Sequence, residues 1–168
     1  MNPEHDQKLH DDFPQLYWVG DYHHEPWRSP YLGGFDCGDG WFDLLYELSQ
    51  KLAPLVDKAN AVEDMDDYKF QVIQVKEKFG GLRYYISSVP HEYADEIFDL
   101  IAEYEHKSYE ICEDCGKPGE VRDLSWITTL CDEHYQQALD YYAKQRQEVI
   151  DAVRQVEEPD ESTMLPKE

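Results

Sequence analysis

Four side chains of metal-binding types stand in two close pairs in the C-terminal third of the chain. Cys112 and Cys115 open the segment CEDCGKPGE, and Cys131 and His134 follow in CDEH. The pattern C-x2-C-x15-C-x2-H has the spacing of structural zinc sites, in which thiolates and imidazoles complete a tetrahedral shell. We therefore expect these four residues to bind one structural Zn²⁺.

Other chemistry at this segment fits the residues less well. A redox C-x-x-C pair would need a helix directly after Cys115, where the glycines and proline of GKPG oppose one. A disulfide between Cys112 and Cys115 would leave Cys131 unexplained, and a reducing cytosol disfavours it. A catalytic zinc keeps an open position, whereas four close ligands fill the shell. A nuclease site on such a module would need a hairpin histidine, and residues 116–130 contain none.

The remaining cysteine and a histidine pair leave further alternatives open. Cys37, in GFDCGDGW, could replace His134 to give a four-cysteine site, although a buried thiol is the favoured interpretation. It could also act with a distant histidine as a nucleophile, but no neighbour in the sequence would activate it. His23 and His24 could bind a metal, yet adjacent side chains point apart in a strand.

The surrounding pattern predicts an α+β fold, a helix–β-hairpin–helix core followed by a treble-clef-like zinc module and a long C-terminal helix. A first helix begins near Asp39 or Gly40, carries leucines at helical spacing, and should kink or end at Pro54. A second helix covers about 90–109 and a third about 132–156. We expect an irregular, aromatic-rich arm over 1–35, an α+β core over 36–110, the zinc module and last helix over 111–157, and a disordered tail over 158–168.

A basic hairpin interrupts this acidic chain. In the segment KFQVIQVKEKFGGLRYYIS, apolar and polar residues alternate as in two strands joined by a Gly80–Gly81 turn. Period-two alternation places Lys76 and Lys78 on one face, and Arg83 can join them across the turn. This face is a solvated surface, a partner contact, or an anion or phosphate site that uses the N–H groups of the glycine turn.

Acidic residues dominate the rest of the chain, and the formal net charge is −22. Such a field repels nucleic acid and anionic membranes, so we expect no direct binding to either. The second helix carries an acidic stripe at intervals of three to four residues, formed by Glu92, Asp95, Asp99 and Glu103. These carboxylates are spaced by about 5–6 Å, close to the phosphate spacing of a DNA strand, so the stripe could imitate nucleic acid.

Three motifs in this order resemble a known group. The chain is similar in three motifs to small, uncharacterised bacterial and prophage-type proteins. These motifs are CGDGW before a helix, VKEKFGGLRYYI, and CEDCGKPG followed by LCDEH. The resemblance covers roughly residues 35–135 and implies a shared fold with a C-terminal treble-clef-like zinc module. It implies no activity.

These observations together predict a cytoplasmic, zinc-stabilised, non-enzymatic protein that binds another protein. The partner is expected to be basic or DNA-binding, and the prophage-type resemblance suggests an inhibitor of a host defence or nucleic-acid enzyme. The alternative is an enzyme or a phosphate-ligand-binding protein that uses the basic hairpin. The N-terminus lacks the apolar segment of a signal peptide, and no apolar run in the sequence approaches the ~18 residues of a membrane span.

Overall fold

The computed structural model describes residues 1–17, 34–61, 70–87 and 89–157, with side chains to residue 154. The fold is mixed α and β, as the sequence predicts, with helices, small sheets and a long C-terminal helix. The chain divides into two units, Met1–Asp132 and Glu133–Glu168. The predicted disordered tail lies outside the described residues.

The N-terminal arm is helical where it is described, so the prediction of an irregular arm is wrong for its first part. Helix α1 spans Pro3–Asp12 and helix α2 spans Pro14–Tyr17. Asn2 caps α1 because its side-chain oxygen accepts a hydrogen bond from the His5 N–H at 2.9 Å. Leu9 is the one fully buried residue of α1, and this sparse apolar pattern hides the helix in the sequence.

Helix α3 (Phe42–Asn60) follows a single 3₁₀ turn at Asp39–Trp41 and forms the centre of the core. It buries its leucines at helical spacing, namely Leu44, Leu45, Leu48 and Leu52. Each fully buried leucine contributes about 1.5–3 kcal/mol of transfer free energy. The helix continues beyond Pro54 for one and a half turns, so the predicted end at this proline is wrong.

A three-stranded sheet contributes buried residues to the same hydrophobic core. Its strands are β1 (Phe35–Asp36), β2 (Val72–Lys78) and β3 (Gly81–Ile86). The sheet has the strand order β1-β2-β3. The hairpin β2–β3 is antiparallel, as predicted, with Lys76 opposite Arg83. Its turn lies one residue earlier than predicted, because Phe79 and Gly80 take the positive φ values, 55° and 78°. Two positive φ angles in succession are the requirement of a type I′ hairpin turn.

Helix α4 (His91–Lys107) confirms the predicted second helix and ends in a 3₁₀ turn at Ser108–Glu110. Ile97, Ile101 and Tyr104 face the core. A second hairpin follows, formed by β4 (Glu120–Asp123) and β5 (Ile127–Leu130). Helix α5 (Asp132–Glu157) is the predicted long C-terminal helix.

Candidate metal centre

The first cysteine pair lies in a tight backbone turn. Cys112 donates its N–H to the Lys117 carbonyl at 2.8 Å and accepts the Gly116 N–H at 2.9 Å. Gly116 has φ +75°, a conformation that residues with a Cβ rarely adopt. The turn therefore requires glycine at this position and bends the chain so that Cys112 and Cys115 approach each other.

The second pair follows the β4–β5 hairpin. Cys131 comes directly after β5, and His134 lies on the first turn of α5. The ligand atoms of Cys112, Cys115, Cys131 and His134 all lie within 4.8 Å of one another. The four residues predicted from sequence spacing are thus brought close enough to hold a metal ion.

The distances within the cluster fit a tetrahedral ion. The sulfur atoms of Cys115 and Cys131 are 3.8 Å apart. Two sulfurs bound at about 2.3 Å to one tetrahedral ion would lie about 3.8 Å from each other. None of the four cysteines forms a disulfide in this structure, so the alternative of a Cys112–Cys115 disulfide is not supported.

Burial keeps two of the thiols protonated when no metal is bound. Desolvation is the main cause that raises the pKa of Cys112 to about 11. Desolvation also raises the pKa of Cys37 to about 12. Cys37 lies outside the four-ligand cluster found among the described residues. It is therefore a buried, unactivated thiol, and neither the four-cysteine site nor a nucleophilic Cys37 is supported.

The CGDGW segment packs directly on the cysteine turn, a contact that no local sequence pattern predicts. Gly40 donates its N–H to the Glu113 carbonyl at 2.7 Å. Trp41 is fully buried and its indole N–H donates to the Ile111 carbonyl at 2.9 Å. Gly38 donates its N–H to the Glu113 carboxylate at 2.8 Å. The motif that starts α3 therefore also supports the candidate metal centre.

The basic hairpin residues share one strand face, as alternation predicts, but they do not form one site. The guanidinium of Arg83 donates to the Tyr109 hydroxyl at 3.0 Å and to the Leu82 carbonyl at 2.6 Å. The Lys76 ammonium lies 5.3 Å from the centre of the Tyr85 ring. Arg83 is thus engaged within the fold, while Lys76 and Lys78 border an open cleft.

The glycine pair of this turn is buried, and the Gly80 N–H that was expected to face an anion is already bonded within the fold. Gly80 donates its N–H to the Glu77 carboxylate at 2.7 Å and its carbonyl accepts the Thr129 hydroxyl at 2.6 Å. Gly81 is buried, and a Cβ on it would lie 2.3 Å from the Tyr109 ring.

The acidic stripe of α4 faces solvent. Glu92, Asp95, Asp99 and Glu103 are all exposed, on the side opposite the buried residues of the helix. Glu103 forms an i,i+4 ion pair with Lys107 at 2.7 Å, which holds the pKa of Glu103 below its usual value. The hydrogen bond from Lys107 is the main cause of this shift. The stripe is therefore partly neutralised at its C-terminal end.

No family model, curated protein or solved structure matches this chain. The resemblance to prophage-type proteins accordingly stays a prediction. His23 and His24 lie outside the described residues. Among the helices that the structure describes, none has the length and apolar character needed to cross a bilayer.

Proposed function

We propose that this protein is an acidic, zinc-stabilised, non-enzymatic module that binds another protein. Three thiolates and one imidazole are a ligand set that suits Zn²⁺, and four protein ligands leave no position for a substrate. The order of cysteine turn, hairpin and helix is the basis for proposing a treble-clef-like zinc module. In this proposal the metal has a structural role and binding is carried out by surface residues.

The observation that carries the proposal is the exposed apolar stripe of α5. Leu139, Tyr142, Val149 and Val153 recur at intervals of three, seven and four residues. Each is more than a third exposed, and Val149 reaches 62%. This spacing places the four side chains on one seam of a helix, the pattern that pairs with a second amphipathic helix.

The negative net charge of the chain favours a partner of the opposite charge. A second copy would carry the same net charge of −22 and would be repelled at long range. A basic protein would be attracted by the same field. The occupant we propose for the α5 stripe is therefore an amphipathic helix that belongs to a basic protein.

The acidic stripe on α4 would then accelerate association. Its exposed carboxylates Asp95 and Asp99 have no ion pair within the described residues. Electrostatic steering raises association rates and weakens with salt. In the narrower form of this proposal the basic partner is a nucleic-acid enzyme of a host defence system, and the stripe imitates the phosphates of its substrate.

Loss of the α5 stripe should abolish capture of the partner. The variant Val149→Glu/Val153→Glu places two charges on the seam, and we expect it to lose at least about a hundredfold in affinity, as for hot-spot residues. The matched control is Gln137→Glu/Gln147→Glu, which adds the same charge to exposed polar positions of α5. The measurement is pull-down from the native cell, followed by surface plasmon resonance with the captured protein in recombinant form.

The control variant should bind like the natural chain. Equal binding by the Val149→Glu/Val153→Glu variant would contradict the role of the stripe. Sedimentation equilibrium of the purified chain tests whether a second copy of the chain binds the stripe instead. A stable dimer that dissociates in the Val149→Glu/Val153→Glu variant would mean that a second copy covers this face.

Charge reversal on α4 should slow association without unfolding the protein. We expect Asp95→Lys/Asp99→Lys to lower the association rate constant about tenfold at low salt and to change the dissociation rate little. The effect should shrink as salt rises, since surface charges are screened. The same kinetic assay measures it. If this variant associates at the native rate while Lys76→Gln/Lys78→Gln/Arg83→Gln fails to bind, the basic hairpin is the partner surface instead.

A further inference from the structure

The first turn of helix α1 is bonded to the body of the fold through the carboxylate of Asp39. This carboxylate accepts the backbone N–H of Asn2 at 3.0 Å and its side-chain N–H at 2.8 Å. The Nδ1 atom of His5 lies 2.9 Å from the same carboxylate. Asn2 is also the N-cap of α1, so the residue that begins the helix is fixed in place by Asp39.

The two glycines that flank Asp39 are bonded to the cysteine turn. Gly38 donates its N–H to the Glu113 carboxylate at 2.8 Å, and Gly40 donates its N–H to the Glu113 carbonyl at 2.7 Å. A Cβ on Gly40 would lie 2.3 Å from the Cys112 carbonyl oxygen, so the two backbones are in close contact. The position of Asp39 therefore depends on the conformation of the cysteine turn.

Helix α1 has little intrinsic stability to hold its first turn in place. It has ten residues, fewer than the about 12–15 at which isolated helices begin to be stable in water. Its one buried residue, Leu9, lies in the C-terminal half of the helix. In the first turn, the His5 ring stacks on Phe42 with the ring centroids 3.8 Å apart. Phe42 follows the CGDGW segment directly, so this contact depends on the same segment as Asp39.

A cleft of about 300 Å³ is lined by both the start of α1 and the cysteine turn. His5 and Phe42 contribute to one part of its lining, and Cys115 and Gly116 contribute to another. A candidate metal ligand and the first turn of α1 therefore border the same cleft. All of these residues belong to the unit Met1–Asp132.

We propose that metal occupancy controls the attachment of helix α1. With the metal bound, the cysteine turn holds Gly38 and Gly40, and Asp39 is positioned to hold the start of the helix. Without the metal, the turn loosens and the first turn of α1 is released. Because coupling between two sites is reciprocal, attachment of α1 also raises the affinity for the metal. The inference rests on the metal site of the proposed function and extends the effect of the metal to the N-terminal helix.

Hydrogen exchange of the full natural chain, with zinc and after its removal by a chelator, tests the first half of this coupling. We expect the amides over 3–12 to exchange at least about tenfold faster in the metal-free chain. The amides of the core helix over 44–56 should keep their protection. Loss of protection that is confined to 111–134 would overturn the proposal, because the metal would then act on the cysteine segment alone.

The variant Asp39→Ala tests the reciprocal half and leaves all four candidate ligands in place. We expect its affinity for zinc, measured by competition with a chelator, to fall about five- to tenfold. Its α1 amides should exchange faster even with zinc bound. Asp39→Asn keeps one acceptor oxygen and should lie between the variant and the natural chain. This comparison also decides the question if the metal-free natural chain unfolds throughout.

The control is Tyr46→Phe, which removes an attachment of α1 that does not involve the CGDGW segment. The Tyr46 hydroxyl donates to the Asp12 carboxylate at 2.8 Å, at the last residue of the helix. We expect this variant to bind zinc with native affinity. A loss equal to that of Asp39→Ala would mean that any weakening of α1 lowers zinc affinity, and the specific coupling through Asp39 would be overturned.

Two further results would contradict the coupling. Native zinc affinity in Asp39→Ala overturns it while leaving the metal site intact. A natural chain that takes up no zinc overturns the metal site of the proposed function and the coupling together, and metal analysis of the same samples distinguishes this case.

Discussion

Replacing Cys112 with serine is expected to release the metal and unfold the cysteine segment. Structural zinc sites contribute apparent binding free energies on the order of 10 kcal/mol, and in small modules this is folding free energy. Cys112 is fully buried, and its N–H and carbonyl form the cysteine turn. The loss of structure should therefore extend to the β4–β5 hairpin and the first turn of α5.

The measurement combines metal analysis with hydrogen exchange along the chain. Cys112→Ser should lose about one zinc per chain and lose protection over 111–134, and Cys131→Ser should behave alike. The control is Cys37→Ala, which removes a buried thiol outside the cluster and should keep its zinc. A Cys112→Ser variant with full zinc and native protection would show that the four residues are not the ligands.

Metal binding at this site should also weaken on acidification. In the metal-free fold, burial raises the pKa of Cys112 to about 11, so the thiol is neutral at pH 7 and zinc must displace its proton. Lower pH favours the protonated, metal-free form, and affinity therefore falls as pH falls.

The second large effect is expected from Gly40→Ala, even though only one methyl group is added. A Cβ on Gly40 would lie 2.3 Å from the Cys112 carbonyl oxygen and 2.5 Å from the Cys115 backbone nitrogen. These are backbone atoms of the cysteine turn and cannot rotate away. The helix-start segment or the turn must shift, and such overpacking costs about 1–3 kcal/mol or more.

Chemical denaturation with zinc present measures this cost, and a competition titration with a chelator measures metal affinity. Gly40→Ala should lower both the free energy of unfolding and the affinity for zinc. Gly34→Ala is the matched control, since a Cβ there meets nothing within 4 Å, and it should be close to neutral. Native stability and metal affinity in Gly40→Ala would mean that CGDGW does not support the cysteine turn.

Local patterns predicted the elements whose sequence signal is strong. The cysteine spacing indicated the ligand cluster, and alternation placed Lys76 and Arg83 on one strand face. Helix α1 was not predicted because Leu9 is the one residue that it buries, so its sequence shows no clear apolar periodicity. The Phe79–Gly80 turn was displaced by one residue because a glycine pair is the stronger signal for positive φ.

The long-range contacts of the fold could not be predicted, because no local sequence pattern indicates them. Gly38 and Glu113 are 75 residues apart, and their contact explains why a glycine-rich segment stands before α3. Likewise, Glu77 and Trp126 are 49 residues apart, so the cleft that they border could not be derived from either segment alone. In each case the residue type is visible in the sequence and its neighbour is not.

X-ray absorption at the zinc edge of the purified natural chain reports the metal and its ligands directly. We expect about one zinc per chain, with three sulfur neighbours near 2.3 Å and one nitrogen near 2.0–2.1 Å. This shell corresponds to Cys112, Cys115, Cys131 and His134 and leaves no open position. A chain without zinc, with a Cys112–Cys115 disulfide, would contradict a structural zinc site, as would a shell in which a water replaces one of the four ligands.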